Sequence, residues 1–158
     1  SGVLRVAECS VRNRHRFCDE IDILSWSWGM AGNASATATA GSRASGANQV
    51  SMQELTVTKG FDRASTALMV ALRSNEVLKR AALTVRKAGG AKAVEYLVMT
   101  LEGARIRSVT LQGTGGGDQP VLEEVSIAFQ KIAIEYRGQD TSGGGGAVSR
   151  FETDVTPN

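Results

Sequence analysis

One stretch restricts this chain more than any other: LEEVSIAFQKIAIEYRGQD, from Leu122 to Asp140. It has no Gly or Pro before Gly138 and is rich in β-branched and aromatic residues, the composition of a strand. Val125, Ile127 and Phe129 alternate with Ser126 and Ala128; then the phase changes, and Ile132, Ile134 and Tyr136 become the apolar positions. Strict alternation would put Lys131 on the apolar face. One extra residue near Gln130 and Lys131 restores the pattern, which predicts a β-bulge or a sharp bend there. A long strand that changes face midway can serve two sheets, as a barrel or sandwich corner requires.

The 158 residues are expected to form one domain, spanning 1–158. A chain of this size buries roughly 70% of its unfolded surface, so it needs no disulfide or metal to fold. Its 18 glycines against 2 prolines suit many tight turns better than a helical bundle. The +2 net charge does not imply a nucleic-acid or anionic-membrane partner. The longest apolar run, Ala67 to Leu72, is far too short to cross a bilayer. No basic segment followed by an apolar core opens the chain, so no signal peptide is expected. Cys9 and Cys18 are expected to be free thiols.

Val3 to Ala7 is a candidate strand, followed by a basic loop, Ser10 to Asp19, holding Arg12, Arg14, His15 and Arg16. No aromatic platform is interleaved with these charges, so a solvated loop is expected rather than a nucleic-acid contact. Glu20 to Trp28 alternates as one strand, with Ile21 and Ile23 on one face and Leu24, Trp26 and Trp28 on the other. Gly29 to Asn48 is a long loop of small residues with a single charge, Arg43. Gln49 to Lys59 reads as a strand with Leu55 and Val57 inward. Ser65 is a good N-cap for a helix from Thr66 to Arg73, with Leu68, Met69 and Leu72 as its apolar stripe.

Arg80 to Lys87 and Val94 to Leu101 predict a hairpin about Gly89 and Gly90. Its second strand is apolar on both faces: Val94, Tyr96 and Val98 on one, Leu97, Met99 and Leu101 on the other. That pattern implies a neighbour covering the outer face. Ala104 to Leu111 and Pro120 to Tyr136 predict another hairpin about Gly113 to Asp118. A phosphate-binding loop would open a helix, and a strand follows here, so this is read as a turn. Gly143 to Gly146 is a flexible link before a last strand, Ala147 to Val155, with Phe151 and Val155 inward.

Catalytic chemistry has little to work with. His15 is the sole histidine and sits in no matching motif. Glu123 and Glu124 are adjacent on a strand, so they point to opposite faces and cannot act as a glycosidase pair. The spacings of Cys9, His15 and Cys18 match no zinc pattern. No enzyme activity, cofactor or metal is expected.

Several segments resemble the haemolysin-coregulated protein (Hcp) family of bacterial type VI secretion. They are EIDILSWSWGM from Glu20, the small-residue loop after it, LTVTKGFDRASTALM from Leu55, LTVRKAGG from Leu83, EYLVMTLEGARIRSV from Glu95 and VSIAFQKIAIEYRGQD from Val125. They come in the family's order. The resemblance is thin before Glu20; Thr66 stands where the family commonly has proline, and Thr153 where it commonly has tryptophan. The resemblance implies a β-barrel of two antiparallel sheets with one flanking α-helix, assembling as a hexameric ring. It implies rings stacked into a tube related to phage tail tubes, with a spike protein, a contractile sheath and small effector proteins as partners. It also implies residence in the bacterial cytoplasm before firing, then export without a cleaved signal peptide. Within such a ring, Trp26, Trp28, Val94, Tyr96 and Val98 are the candidate subunit-interface residues. Met30, Asn33, Arg43 and Asn48 in the long loop, and Gly89, Gly90, Gly115, Gly116 and Asp118 in the turns, are the candidate stacking residues. The competing reading is a monomeric β-barrel that binds a small ligand on its tryptophan face.

Overall fold

A computed structural model describes residues 2–7, 20–32, 50–87, 94–116, 118–139 and 145–155. Cys9, the basic segment with His15, Cys18, most of the long loop, and Gly89 with Gly90 lie outside the described residues. The chain runs β1 (Gly2–Ala7), β2 (Glu20–Ile23), β3 (Ser25–Ser27), β4 (Met30–Gly32), β5 (Val50–Met52), β6 (Leu55–Gly60), α1 (Arg63–Ser74), β7 (Leu78–Lys87), β8 (Val94–Gln112), β9 (Leu122–Ala128), β10 (Lys131–Gln139) and β11 (Gly145–Asp154). Among the described residues the fold is mainly β, with every strand pairing antiparallel and one helix laid against β8.

The expected change of face in the Leu122 stretch is a bend at Phe129 and Gln130 between two strands. Before it, Val125, Ile127 and Phe129 are buried; after it, Ile132 is. β9 pairs with β6 and with the far half of β8, while β10 pairs with β11 and the near half of β8. The two expected strands Val94 to Leu101 and Ala104 to Leu111 are therefore one strand, β8, shared between two sheets. Gly103 lets it turn the corner: its φ of +60° is a conformation that favours glycine. The corner of β8 and the bend between β9 and β10 meet there, because the Gln130 N–H donates to the Glu102 carbonyl at 3.0 Å.

The sheet also curls on itself. Its strand order begins at β2 and ends at β3, which are separated in sequence only by Leu24. The expected strand Glu20 to Trp28 is thus broken: β2 pairs with β1, β3 pairs with β6, and the Leu24 N–H donates to the Thr58 carbonyl at 2.8 Å. The expected strand Gln49 to Lys59 is broken too. β5 leaves the barrel to pair with β4, so Met30–Gly32, expected within the long loop, form a two-stranded ribbon with Val50–Met52. Leu55, Val57, Leu83, Met99, Leu101, Val125, Ile127 and Ile132 make the centre of the core, each almost wholly buried.

The helix starts earlier than its sequence suggests. Asp62, not Ser65, is the N-cap: its carboxylate accepts from the Ala64 N–H, and the Ser65 hydroxyl accepts from the Asp62 N–H. Ser65 is the third helical residue of a capping box, a role normally filled by Glu or Gln. Leu68 and Ala71 form the buried stripe, and Leu72 packs beside it. Asn75 closes the helix in a left-handed conformation.

Candidate assembly surfaces

β10 and β11 fork away from the barrel at the Gln130 bend and form a two-stranded wing on the edge of β8. Ile132 is buried under it. Farther out, Ile134 lies opposite Phe151, and Tyr136 lies opposite Ser149. By alternation, Ile132, Ile134, Tyr136 and Phe151 share the wing's inner face. The core ends before the wing does, leaving Tyr136 50% and Phe151 42% exposed. Phe151 is therefore on the expected face but not in the core. Val155, the other residue expected inward, packs against the core from just beyond β11. Among the described residues β11 pairs only with β10, so its other edge is open.

The opposite face of the same strands is polar. Arg80, Glu102, Lys131 and Asp154 lie in register across β7, β8, β10 and β11, so charge alternates from strand to strand. Lys131 and Arg150 both contact Glu152, and Arg137 pairs with Glu135 at 2.8 Å. The hydrogen bond to Glu152 raises the Lys131 ammonium above its ordinary value, and the same contact holds the Glu152 carboxyl below its own. This face is concave, enclosing about 470 Å³ over Ala82, Thr84, Val98 and Thr100. Its charges largely neutralise one another.

That arrangement corrects the expected doubly apolar strand. Val85 pairs with Leu97 but Arg86 pairs with Glu95, so Tyr96 is the extra residue of a bulge. The bulge moves Tyr96 off the outer row: it packs against the core and meets Tyr136 edge-on, with ring centroids 6.5 Å apart. The outer row of β8 is Glu95, Val98, Thr100 and Glu102, which is mostly polar. Val98 is half-buried at the floor of the concavity, and the side chain of Val94 lies outside the described residues.

The two tryptophans have different surroundings. Trp26 in β3 is 36% exposed; Trp28 packs against the core, and its buried indole N–H lacks a hydrogen-bond partner among the described residues. Trp26 and Val98 belong to different sheets, so the expected interface residues do not form one patch. Among the expected stacking residues, Met30 is exposed in the β4–β5 ribbon, and Gly115, Gly116 and Asp118 are exposed in the turn between β8 and β9. That turn lies at the Gln112 end of β8, the end opposite Val94. Asn33, Arg43, Asn48, Gly89 and Gly90 lie outside the described residues.

Sequence reading passed over one constellation inside the barrel. Lys59 and Glu123 are direct partners across β6 and β9, and both side chains are wholly buried. The Lys59 ammonium donates to the Gly60 carbonyl at 2.8 Å, Asp62 at 2.8 Å, the Ser65 hydroxyl at 3.0 Å and Glu123 at 3.3 Å. The signal was available: continuing the Leu55–Val57 and Val125–Ile127 alternation puts both charges inward. As expected, Glu124 faces the other way and is exposed. Among the described residues no group of three His, Cys, Asp or Glu side chains could hold a metal.

A protein-family model described as "Type VI secretion system effector, Hcp" matches residues 11–136. A Pseudomonas aeruginosa protein named hcp1 is 39% identical over 95 residues, 60% of this chain. That alignment spans 58% of the relative's own length. Among solved structures, one titled as a type six secretion system protein superposes with a TM-score of 0.79 at 20% identity, covering 98% of this chain and 94% of that one. Hcp1 from Salmonella typhimurium superposes at 0.66 with 27% identity, covering 96% and 93%.

Proposed function

Because this chain belongs to the Hcp family of type VI secretion proteins, we propose that it is a structural subunit of the secretion tube, working by assembly and not by catalysis. Six copies close into a ring, and rings stack head to tail. The tube carries small effector proteins in its lumen and is exported with them from the bacterial cytoplasm. A spike protein and a contractile sheath are its other partners.

The observation that carries this reading is the wing. A monomer in water has no reason to hold a ten-residue edge strand with Tyr136 and Phe151 half exposed beneath it. A second subunit tucked under the wing would bury both aromatics, and rotation-related copies would repeat that contact until the ring closes. Trp26 is the exposed aromatic available on the other sheet. Trp28, Tyr96 and Val98 then support the interface from behind, and Val94 completes the same strand. Stacking falls to the ends: the ribbon at Met30 with the segment through Asn33, Arg43 and Asn48, the Gly89–Gly90 turn, and the turn with Gly115, Gly116 and Asp118. The charge-balanced concave face suits a wall that proteins slide past, because it offers few unpaired charges to hold them.

Native mass measurement at micromolar concentration tests the reading. A ring of six supports it. A clean monomer that binds a small ligand would replace it with the binding-barrel alternative.

A further inference from the structure

The exposed side of α1 is built unlike an ordinary solvated helix. Arg63, Thr66, Val70 and Arg73 are exposed at helical spacing and form one stripe about 15 Å long. Val70 is 43% exposed, as is Val77 at 44%, two residues past the Asn75 cap. The helix holds no acidic residue at all. A water-facing helix usually mixes signs in pairs one turn apart; neither Arg63 nor Arg73 has a side-chain partner among the described residues. A third guanidinium, Arg105, is brought to the same end by its bond to the Asn75 carbonyl at 3.4 Å. Of the nearest carboxylates in sequence, Asp62 is taken by the cap and Lys59, and Glu76 is half-buried beyond the cap.

Arg63 also sits where it costs stability. It is the first helical residue, beside the positive end of the helix dipole, where a carboxylate would be favourable and a cation is not. A residue that breaks a local rule with no compensating contact marks a position kept for another purpose.

We infer that this stripe docks a partner protein, distinct from a second copy of the chain, that presents carboxylates on either side of an apolar contact. Arginine is enriched among interface anchors, and the exposed Val70 and Val77 supply apolar surface beside it. The valines argue against single-stranded nucleic acid, which would call for stacking aromatics rather than an aliphatic centre. The inference does not depend on the tube reading, because the stripe is complete within one subunit.

The test uses isotope-labelled full-length protein and a designed helical peptide with glutamates flanking two leucines on one face. Chemical-shift changes are expected at Arg63, Val70, Arg73 and Val77, weakening with added salt. The Arg63→Glu/Arg73→Glu variant should bind the peptide at least about tenfold more weakly, and Val70→Ser should also weaken it. Arg63→Glu alone should raise the melting temperature, by about 1–4 °C, since the charge then complements the dipole. Four results would each overturn the assignment: no peptide binding, equal binding of an oligothymidylate of matched charge, a change of oligomeric state on Arg73→Glu, or a lower melting temperature for Arg63→Glu.

Discussion

The ammonium of Lys59 lies 3.3 Å from Glu123 Oε2, and both side chains have no exposed surface. One residue comes from β6 and the other from β9, and the Lys59 ammonium also donates to the Ser65 hydroxyl of the helix. The barrel wall and the helix start are therefore tied at one buried charge. Removing one partner leaves the other's polar head buried without its counterpart. Lys59→Met should cost about 3–5 kcal/mol in urea unfolding, whereas the double variant Lys59→Met/Glu123→Leu should recover most of that loss. A double-variant loss equal to the sum of the Lys59→Met and Glu123→Leu losses would mean the pair is not coupled.

Glu152 titrates below the ordinary carboxylate range because Lys131 hydrogen-bonds its charged form. Its contribution to stability is present above the unfolded carboxylate value and is lost as pH falls through the lower folded value. Lys131 behaves in the opposite sense: its contribution holds below the unfolded lysine value of 10.5 and is lost as pH rises through its higher folded value. Both groups are solvent-accessible, so the effect is small and salt-sensitive. Carboxyl NMR titration should find Glu152 low in the parent and shifted up in Lys131→Ala. An unchanged value would remove Lys131 as the cause.

Gly146 and Gly138 face each other at the far end of the wing, away from the Gln130 bend. A Cβ on Gly146 would lie 2.5 Å from the Gly138 carbonyl oxygen, a backbone atom that cannot rotate away. Gly146→Ala should push the strands apart, speed amide exchange in β11, and leave β7 and β9 protected. It should cost about 1–3 kcal/mol. Uniform loss of protection would show that the wing does not open separately from the barrel.

Ring formation should depend on the wing's inner face. A stable interface buries about 800 Å² per partner and concentrates its energy in aromatic anchors. Phe151→Asp and Tyr136→Asp place a charge on that face and should shift the assembly towards monomer in native mass spectra, with far-ultraviolet dichroism unchanged. Trp26→Asp should act in the same direction. If all three variants remain hexameric, the contact lies elsewhere.

Much of the architecture was legible locally. The change of phase from Phe129 to Ile132 located the bend, and period-two alternation located most of the strands. Helix composition around Leu68 revealed α1 but misplaced its start, since Ser65 and Asp62 are both good caps in sequence. Only the ring of contacts with Lys59 selects Asp62. The family resemblance rested on residue order and held over most of the chain.

Partner choice was legible for the two expected hairpins, whose pairings of β7 with β8 and of β8 with β9 are present, and not beyond them, because alternation says which side a residue faces and nothing about which strand lies beside it. β8 reads as two strands until Gly103 is seen to turn the corner between two sheets. Its outer face reads as apolar until pairing with β7 places the bulge at Tyr96. Glu20 to Trp28 reads as one strand until its halves take different neighbours and separate the two tryptophans. The sequence by itself determined the strand periodicity, the bend and the inward phase of Lys59 and Glu123, all of which follow from backbone geometry within a few residues. Register, bulges and the overhang of the wing were decided by long-range pairing, whose hydrogen bonds exist only once distant segments have come together.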